Sequence, residues 1–165
     1  MKNFSIKDEQ GKTYWISRSV AVVAAVLCMK DNEPCVLANK RGPGTPDFQG
    51  MWNVTCGYLD WDETAQEACS REVFEECGVR VDPKKFCLME VKTNPTENNQ
   101  NVILRHVAVL SELPEMEDSE GGEKDEVEEV KWIPIKEIRN YEWAFNHLEM
   151  IREIYLELNP FADDF

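Results

Sequence analysis

Residues 57–79 read GYLDWDETAQEACSREVFEECGV, and this stretch is the most informative part of the sequence. Within it, residues 64–67 (TAQE) have the S/T-x-x-E form of a capping box, in which a threonine and a glutamate side chain each accept a backbone N–H at a helix start. Gly78 can adopt the left-handed conformation that ends a helix. The sequence therefore predicts a helix that begins after Thr64 and ends at Gly78.

Two neighbouring faces of this helix differ in character. At about 100° per residue, three carboxylates fall within an arc of roughly 100°, and they belong to Glu72, Glu75 and Glu76. The adjacent sector is apolar and contains Cys69, Val73 and Cys77. We therefore expect one face to pack against the core while its neighbour carries a cluster of negative charge.

The carboxylate cluster is unfavourable by itself, because like charges three or four residues apart on a helix repel each other. A divalent cation reverses that effect. Hard oxygen ligands suit Mg²⁺, or alternatively Mn²⁺, and these ions commonly bind between carboxylates and substrate phosphates. Three glutamates alone are more often a solvated acidic face, so the metal hypothesis depends on the complete pattern around them.

That complete pattern is G-x5-E-x7-R-E-U-x-E-E-x-G-U, where U is aliphatic, and the chain fits it at every fixed position: Gly57, Glu63, Arg71, Glu72, Val73, Glu75, Glu76, Gly78 and Val79. The pattern is the Nudix box, and the chain resembles the Nudix hydrolases over residues 18–158. The resemblance implies an α/β fold with a mixed sheet, arranged as a Nudix-type α/β/α sandwich. It also implies a single Nudix domain over residues 1–165, and we expect a flexible tail at 159–165.

The resemblance also implies a reaction. In Nudix enzymes a metal-activated water attacks the diphosphate linkage of a nucleoside diphosphate that is joined to another moiety, X. The implied metal ligands are the carbonyl oxygen of Gly57 and the carboxylates of Glu72, Glu75 and Glu76. Arg71 would orient Glu72, whereas the residues alone predict only a helix ion pair between Arg71 and Glu75. Glu63 would brace the loop and the helix.

The general base is open among three glutamates. Nudix enzymes use either the residue that matches Glu72 or a glutamate on a later loop, for which Glu123 and Glu126 are the candidates here. Residues 111–125 are rich in Glu, Gly and Pro, which indicates a surface loop. The resemblance favours a functional loop in which Glu126 is an additional metal ligand or the base, and a merely solvated loop is the alternative.

Charge and hydropathy restrict the partners. A net charge of −14 disfavours nucleic acid, and the 18 Lys and Arg residues form no basic block. The N-terminus MKNFSIKDEQ has no apolar core of a signal peptide, and the apolar stretch 20–29 is too short to span a bilayer. We therefore expect a cytoplasmic protein with a nucleotide-type small-molecule substrate, no membrane partner and no nucleic-acid polymer as partner. The resemblance adds a possible homodimer.

Six cysteines occur without a C-x-x-C motif, and two of them lie on the apolar side of the predicted helix. This pattern predicts reduced core thiols instead of disulfides or zinc ligands. Cys56 directly precedes Gly57, so a catalytic role for its thiol is the minor alternative.

The remaining elements follow from apolar patterning and turn residues. We predict strands at 19–29, 34–40, 52–56, 86–93, 102–110 and 127–133, a Gly/Pro loop at 41–50, and helices at 135–139 and 143–158. Strands on both sides of a central helix, with a terminal helix, favour a mixed sheet between helices.

Substrate contacts are predicted from residue type near the box. Phe48, Trp52 and Tyr58 could stack on a base, and Arg41 could pair with a phosphate, with ordinary packing as the alternative for the aromatic residues. Pro95 lies at the offset that marks ADP-ribose pyrophosphatases in this family, although residues 97–99 (ENN) replace the charged residues that usually follow.

An ADP-ribose or nucleotide-sugar-like substrate is therefore favoured over nucleoside triphosphates. Two alternatives to a hydrolase stay open. One is a nucleotide-sensing Nudix module without catalysis, a class that usually lacks box carboxylates. The other is an enzyme that resembles isopentenyl diphosphate isomerases.

Overall fold

The computed structural model describes residues 2–95, 100–118 and 125–159. The strands in these residues are β1 (Phe4–Lys7), β2 (Thr13–Ile16), β3 (Ser19–Lys30), β4 (Glu33–Arg41), β5 (Trp52–Asn53), β6 (Thr55–Tyr58), β7 (Cys87–Lys92), β8 (Asn101–Leu110) and β9 (Val127–Pro134). The α-helices are α1 (Ala65–Cys77) and α2 (His147–Leu158), and short 3₁₀ helices lie at Pro83–Lys85 and Ile135–Asn140.

The main sheet has seven strands in the described part of the chain. Its order is β5-β4-β3-β8-β7, with β6 also paired to β3 and β9 to β4. β3 and β8 run parallel, and the other pairs are antiparallel. The predicted mixed sheet of an α/β fold is confirmed. β1 and β2 form a separate hairpin, which the sequence analysis did not predict.

β3 is the central strand and is largely buried on both faces, as its continuous apolar run predicts. Successive side chains of a strand point to opposite faces of the sheet. On one face, the β3 residues Val22, Ala24 and Val26 share an apolar cluster with the α1 residues Cys69, Val73 and Cys77. On the other face, Val23, Ala25 and Leu27 share a cluster with the α2 residues Met150, Ile151 and Ile154. The sheet therefore lies between α1 and α2.

The ends of α1 are where the sequence predicts them. The Thr64 hydroxyl accepts the Glu67 N–H at 3.3 Å, and the Glu67 carboxylate accepts the Thr64 N–H at 2.7 Å, which completes the capping box. Gly78 ends the helix with φ of +66°, and its N–H donates to the Phe74 carbonyl at 2.8 Å. Both predicted helix signals are confirmed.

Two boundaries differ from the sequence expectation. The strand expected at 52–56 is divided at Val54, because β5 pairs with β4 and β6 pairs with β3. The helix expected at 143–158 begins only at His147. Trp143 is instead buried in a bridge with Trp52, where its indole N–H donates to the Ile138 carbonyl at 2.7 Å.

Neither α-helix in the described residues offers the long apolar segment that a bilayer crossing needs. The tail at 160–165 lies outside the described residues, so its flexibility and the extent of one domain over 1–165 stay predictions.

Candidate active site

A first cavity forms where β6 approaches α1. Gly57 lies in β6 opposite Val22 of β3, and the glutamate face of α1 borders the same space. The cavity has a volume of about 600 Å³, and its lining includes Gly57, Arg71, Glu72, Glu75 and Glu76. The structure therefore brings together, around one cavity, the residues that the box predicts to be catalytic or metal-binding.

Arg71 is the centre of a charged network at this wall. Its guanidinium donates to both carboxylate oxygens of Glu63, at 2.6 and 3.0 Å, and to Glu72 at 2.8 Å and Glu75 at 3.1 Å. It also donates to the carbonyl oxygen of Tyr58 at 3.1 Å. The hydrogen bond from Arg71 lowers the pKa of Glu63, and the carboxylates raise the pKa of Arg71. Glu63 thus holds Arg71 in place, and Arg71 positions two carboxylates of the cluster.

Gly57 leaves room for the carboxylate of Glu72. A Cβ atom at position 57 would lie 2.0 Å from Glu72 Oε1 and 2.2 Å from its Cδ, distances far inside van der Waals contact. Burial raises the pKa of Glu72, and the hydrogen bond from Arg71 opposes that rise. The glycine of the box is therefore required by a side chain of the box helix.

Glu76 lies deeper in the cavity, and its carboxylate accepts a hydrogen bond from Asn39 Nδ2 at 2.7 Å. Burial first and the charge of Glu72 second raise the pKa of Glu76 to about 8. Asn39 is paired with Asn53 across β4 and β5, and both asparagines are buried. The sequence analysis missed this pair, although a polar residue inside each of the apolar segments CVLANK and WNVT was the available signal.

The donor set fits a hard divalent cation. No three His, Cys, Asp or Glu side chains of the described residues are already gathered in a metal-binding arrangement, since Arg71 and Asn39 hold the carboxylates by hydrogen bonds. Three carboxylates nevertheless share the cavity, and the pKa of Glu76 is raised in the way that a nearby cation would reverse. The buried Asn53 Oδ1 has no hydrogen-bond partner among the described residues, so an acceptor is available there for a water on such an ion.

Glu126 lies on the wall of the same cavity. Its carbonyl oxygen accepts the Gly42 N–H at 2.6 Å, and its charge contributes to the raised pKa of Glu76. Glu123, the other candidate base from the loop, lies outside the described residues.

The residues predicted to contact substrate lie in three different places. Arg41 and Tyr58 line the first cavity, and Arg41 donates to the carboxylate of Asp47 at 2.8 Å. Phe48 lines a second, adjacent cavity of about 710 Å³. Trp52 differs from the expectation, because it lines neither cavity. Its ring is buried in the core and packs edge-on against Tyr141, with 5.4 Å between the ring centroids. Trp52 therefore has a packing role.

Cys56 lies between the two cavities, and burial raises the pKa of its thiol. The nearby charge of Glu76 raises that pKa further. A nucleophilic cysteine needs a lowered pKa, so these surroundings disfavour catalysis by Cys56.

Fold and site together define a class of protein: a mixed sheet between two helices, with a cavity lined by the carboxylates of a capped helix. The family model for the NUDIX domain matches residues 18–154. The chain therefore belongs to the Nudix family.

Two curated relatives are similar at modest identity. An ADP-ribose pyrophosphatase from Methanocaldococcus jannaschii is 27% identical over 149 residues, which cover 90% of this chain and 80% of the relative. The phosphatase NudJ from Escherichia coli is 29% identical over 94 residues, which cover 57% of this chain and 58% of NudJ.

Solved structures support the fold. The NUDIX domain of Shewanella oneidensis NrtR, in complex with ADP ribose, superposes with a TM-score of 0.72 at 20% identity, covering 92% of this chain and 94% of that one. A bifunctional NMN adenylyltransferase/ADP ribose pyrophosphatase from Francisella tularensis, in complex with AMP and a manganese ion, has a TM-score of 0.67 at 24% identity, covering 86% of this chain and 42% of the other.

Proposed function

We propose that the protein is a Mg²⁺-dependent hydrolase that cleaves the diphosphate linkage of a nucleoside diphosphate joined to a moiety X. The observation that carries this proposal is the arrangement of Gly57 against Glu72, with Arg71 tied to Glu63, Glu72 and Glu75. A purely structural helix gains nothing from three carboxylates on one cavity wall, whereas a phosphate-binding cation requires such oxygen ligands.

Each residue has a defined part in the proposed mechanism. When bound, Mg²⁺ supplies a more acidic water and neutralises charge on the phosphoryl oxygens. The residues that would hold it are Gly57, through its carbonyl oxygen, and the carboxylates of Glu72, Glu75 and Glu76. Arg71 orients Glu72 and Glu75, and Glu63 keeps Arg71 in position through its two hydrogen bonds. Asn39 fixes the carboxylate of Glu76 at the buried end of the cluster.

Glu72 and Glu126 are the described candidates for the general base, since both line the cavity. Their roles can be separated by comparing Glu72→Gln with Glu126→Gln. If Glu126 is the base and not a ligand, Glu126→Gln lowers kcat while Mn²⁺ affinity, measured by electron paramagnetic resonance, stays unchanged. Glu72→Gln removes an assigned ligand and lowers the Mn²⁺ affinity in either case, so an unchanged kcat in Glu126→Gln leaves Glu72 as the described candidate for the base.

ADP-ribose or a nucleotide sugar is the proposed substrate class. The support is the archaeal ADP-ribose pyrophosphatase, to which 90% of this chain aligns, together with the NrtR domain in complex with ADP ribose. The size of the site agrees, because the cavities of about 600 and 710 Å³ adjoin each other and each is within the usual size range of a small-molecule site.

The sensing module is the second candidate, favoured by the likeness to NrtR, which has also been solved in complex with DNA. The intact carboxylates of the box favour catalysis over sensing. An isomerase would leave the diphosphate of its substrate intact, so the products distinguish it from a hydrolase. A homodimer stays a prediction.

Product analysis by chromatography tests the proposal. ADP-ribose, nucleotide sugars, dinucleoside polyphosphates and nucleoside triphosphates are incubated with the protein, with and without Mg²⁺. We expect Mg²⁺-dependent release of a nucleoside monophosphate from ADP-ribose or a nucleotide sugar. A folded protein that binds one of these compounds and turns over none of them would identify the sensing module instead.

Glu76→Gln is the companion variant, because the amide is nearly isosteric but uncharged. We expect turnover to fall at least about 10²-fold, the scale of one electrostatic contribution to catalysis. Glu149→Gln, an exposed position in the first turn of α2, is the matched control and should keep normal turnover. Full activity in Glu76→Gln would remove Glu76 from the site.

A further inference from the structure

Four acidic side chains lie close together in the sequence where the chain enters β9, and they belong to Asp125, Glu126, Glu128 and Glu129. Of these four, all of which the structure describes, Glu126 alone lines the first cavity. Its charge contributes to the raised pKa of Glu76, so the two carboxylates lie near each other. The backbone must therefore direct one of four similar side chains into the site.

A β-bulge accounts for Glu128. Two consecutive residues of β4, Lys40 and Arg41, have partners in β9 that are two positions apart, and Glu128 is the extra residue between those partners. A bulge bends its strand and changes the direction of the side chains beside it. The Glu128 carboxylate binds Lys40 Nζ at 2.9 Å, and the Glu129 carboxylate binds Lys131 Nζ at 2.6 Å. Both carboxylates are thus bound to lysines, and neither borders the cavity.

The backbone at Glu126 is held by the loop that follows β4. The Gly42 N–H donates to the Glu126 carbonyl at 2.6 Å, and the Gly44 N–H donates to the Asp125 carbonyl at 2.8 Å. A Cβ atom at position 42 would lie 2.2 Å from the Asp125 carbonyl oxygen, so only glycine allows the two backbones to come this near. These contacts of Gly42 and Gly44 with Asp125 and Glu126 form a backbone clamp.

Asp125 enters the clamp in the left-handed conformation, with φ of +66°. Asp and Asn adopt this conformation more readily than other residues with a side chain, and for β-branched residues it is a strained outlier. The Asp125 side chain is exposed, so core packing does not hold the conformation. Such backbones persist where their surroundings fix them, and the clamp supplies those surroundings.

We propose that the backbone clamp is a positioning device for the reaction, in which Gly42 and Asp125 act only by holding the Glu126 carboxylate in the first cavity. This role rests on the proposed function, in which Glu126 is the general base or an additional metal ligand. Glu126 needs the same position in either case, so the clamp serves both. Gly42 and Asp125 are therefore positioning residues and contact neither substrate nor metal.

Asp125→Val disturbs the clamp without changing the lining of the cavity, because valine does not hold a φ of +66° without strain. Asp125→Asn is the matched control, since asparagine keeps the left-handed preference and removes only the charge. Rates are measured with ADP-ribose, or with whichever compound of the panel the wild type hydrolyses. We expect kcat to fall about 10- to 100-fold in Asp125→Val, the scale of a misplaced reacting group, with little change in KM. Asp125→Asn should keep the wild-type kcat.

The Glu126→Gln background shows whether the effect passes through Glu126. If it does, Asp125→Val lowers kcat no further once the carboxylate is gone, whereas independent effects would multiply. Gly42→Ala approaches the clamp from the other side and should show the same dependence on Glu126. Thermal melting identifies the folded variants, and Asp125→Val decides if Gly42→Ala melts early. Multiplying losses, or an unchanged kcat in Asp125→Val or in Glu126→Gln, would overturn the proposal.

Failure of the clamp and failure of the hydrolase give different results. If the wild type hydrolyses a compound and the losses multiply, the clamp is wrong and the hydrolase stands. If the wild type hydrolyses no compound, the hydrolase is wrong, and Mn²⁺ affinity measured by electron paramagnetic resonance decides the clamp. Asp125→Val and Glu126→Gln should then weaken Mn²⁺ binding by the same factor, alone and together, and an unchanged affinity in either would reject the clamp.

Discussion

Gly57→Ala separates the function of the site from the stability of the fold. The new methyl group would lie 2.0 Å from Glu72 Oε1 and 2.5 Å from Oε2. The atoms it meets are the far end of a flexible side chain, so the carboxylate moves and the backbone does not have to. Glu72 is thereby displaced from Arg71 Nη1, to which it is bound at 2.8 Å.

The cost in stability is small. One charge-assisted hydrogen bond contributes about 1.5–3 kcal/mol, and alanine recovers about 0.4–1 kcal/mol because its unfolded chain has fewer conformations than that of glycine. Arg71 also keeps its bonds to Glu63 and Glu75. We expect the free energy of unfolding to fall by no more than about 2.6 kcal/mol, which lowers Tm by no more than about 10 °C in a chain of this size.

The cost in activity is larger. Displacement of one carboxylate from the cluster should reduce Mg²⁺-dependent turnover at least about 10²-fold, equivalent to about 2.7 kcal/mol in the activation free energy. Chromatographic detection of the released monophosphate measures the rate, and a thermal melt of the same sample measures stability. Wild-type turnover in a folded Gly57→Ala protein would refute the placement of Glu72 in the catalytic site.

Three further expectations follow from single contacts. Gly78→Ala should affect stability more than turnover, because the φ of Gly78 is +66° and the new methyl group would lie 2.0 Å from the backbone oxygen of Glu117. We expect urea denaturation to show that the free energy of unfolding falls by more than about 2 kcal/mol, and an unchanged value would contradict this. Arg71→Lys keeps the charge but not the planar fork, so kcat should fall about tenfold or more, and an unchanged kcat would show that the fork is dispensable. Burial lowers the pKa of His147 to about 3, so between about pH 6.5 and pH 3 the unfolded chain binds a proton that the folded protein does not. The contribution of neutral His147 to the free energy of unfolding is complete above pH 6.5 and is lost as the pH falls, at up to about 1.4 kcal/mol per pH unit. Urea titrations of His147→Gln at several pH values should lack this contribution.

Helix α1 was predictable because its signals are local. The capping box, the left-handed glycine and the division into an apolar and an acidic face all lie within residues 57–79. The burial of Trp52 was not predictable in this way, because it depends on a bridge to Trp143 from a distant part of the chain. A tryptophan beside the box looks the same in the sequence whether it packs in the core or faces a substrate.

The contact between Phe48 and Phe145 and the paired asparagines show why the linings of the two cavities are harder to predict than helix α1. Asn39 and Asn53 become neighbours only through the register of β4 and β5, and Phe48 meets Phe145 only because the segment before α2 returns to the loop after β4. Neither contact leaves a periodic signal in the sequence. Arg71 and the carboxylates of the box come from one continuous segment, whereas Asn39, Phe48, Asn53 and Phe145 come from four separate ones. Changes in those four segments can therefore alter the linings of the two cavities while the carboxylate face of α1 stays the same.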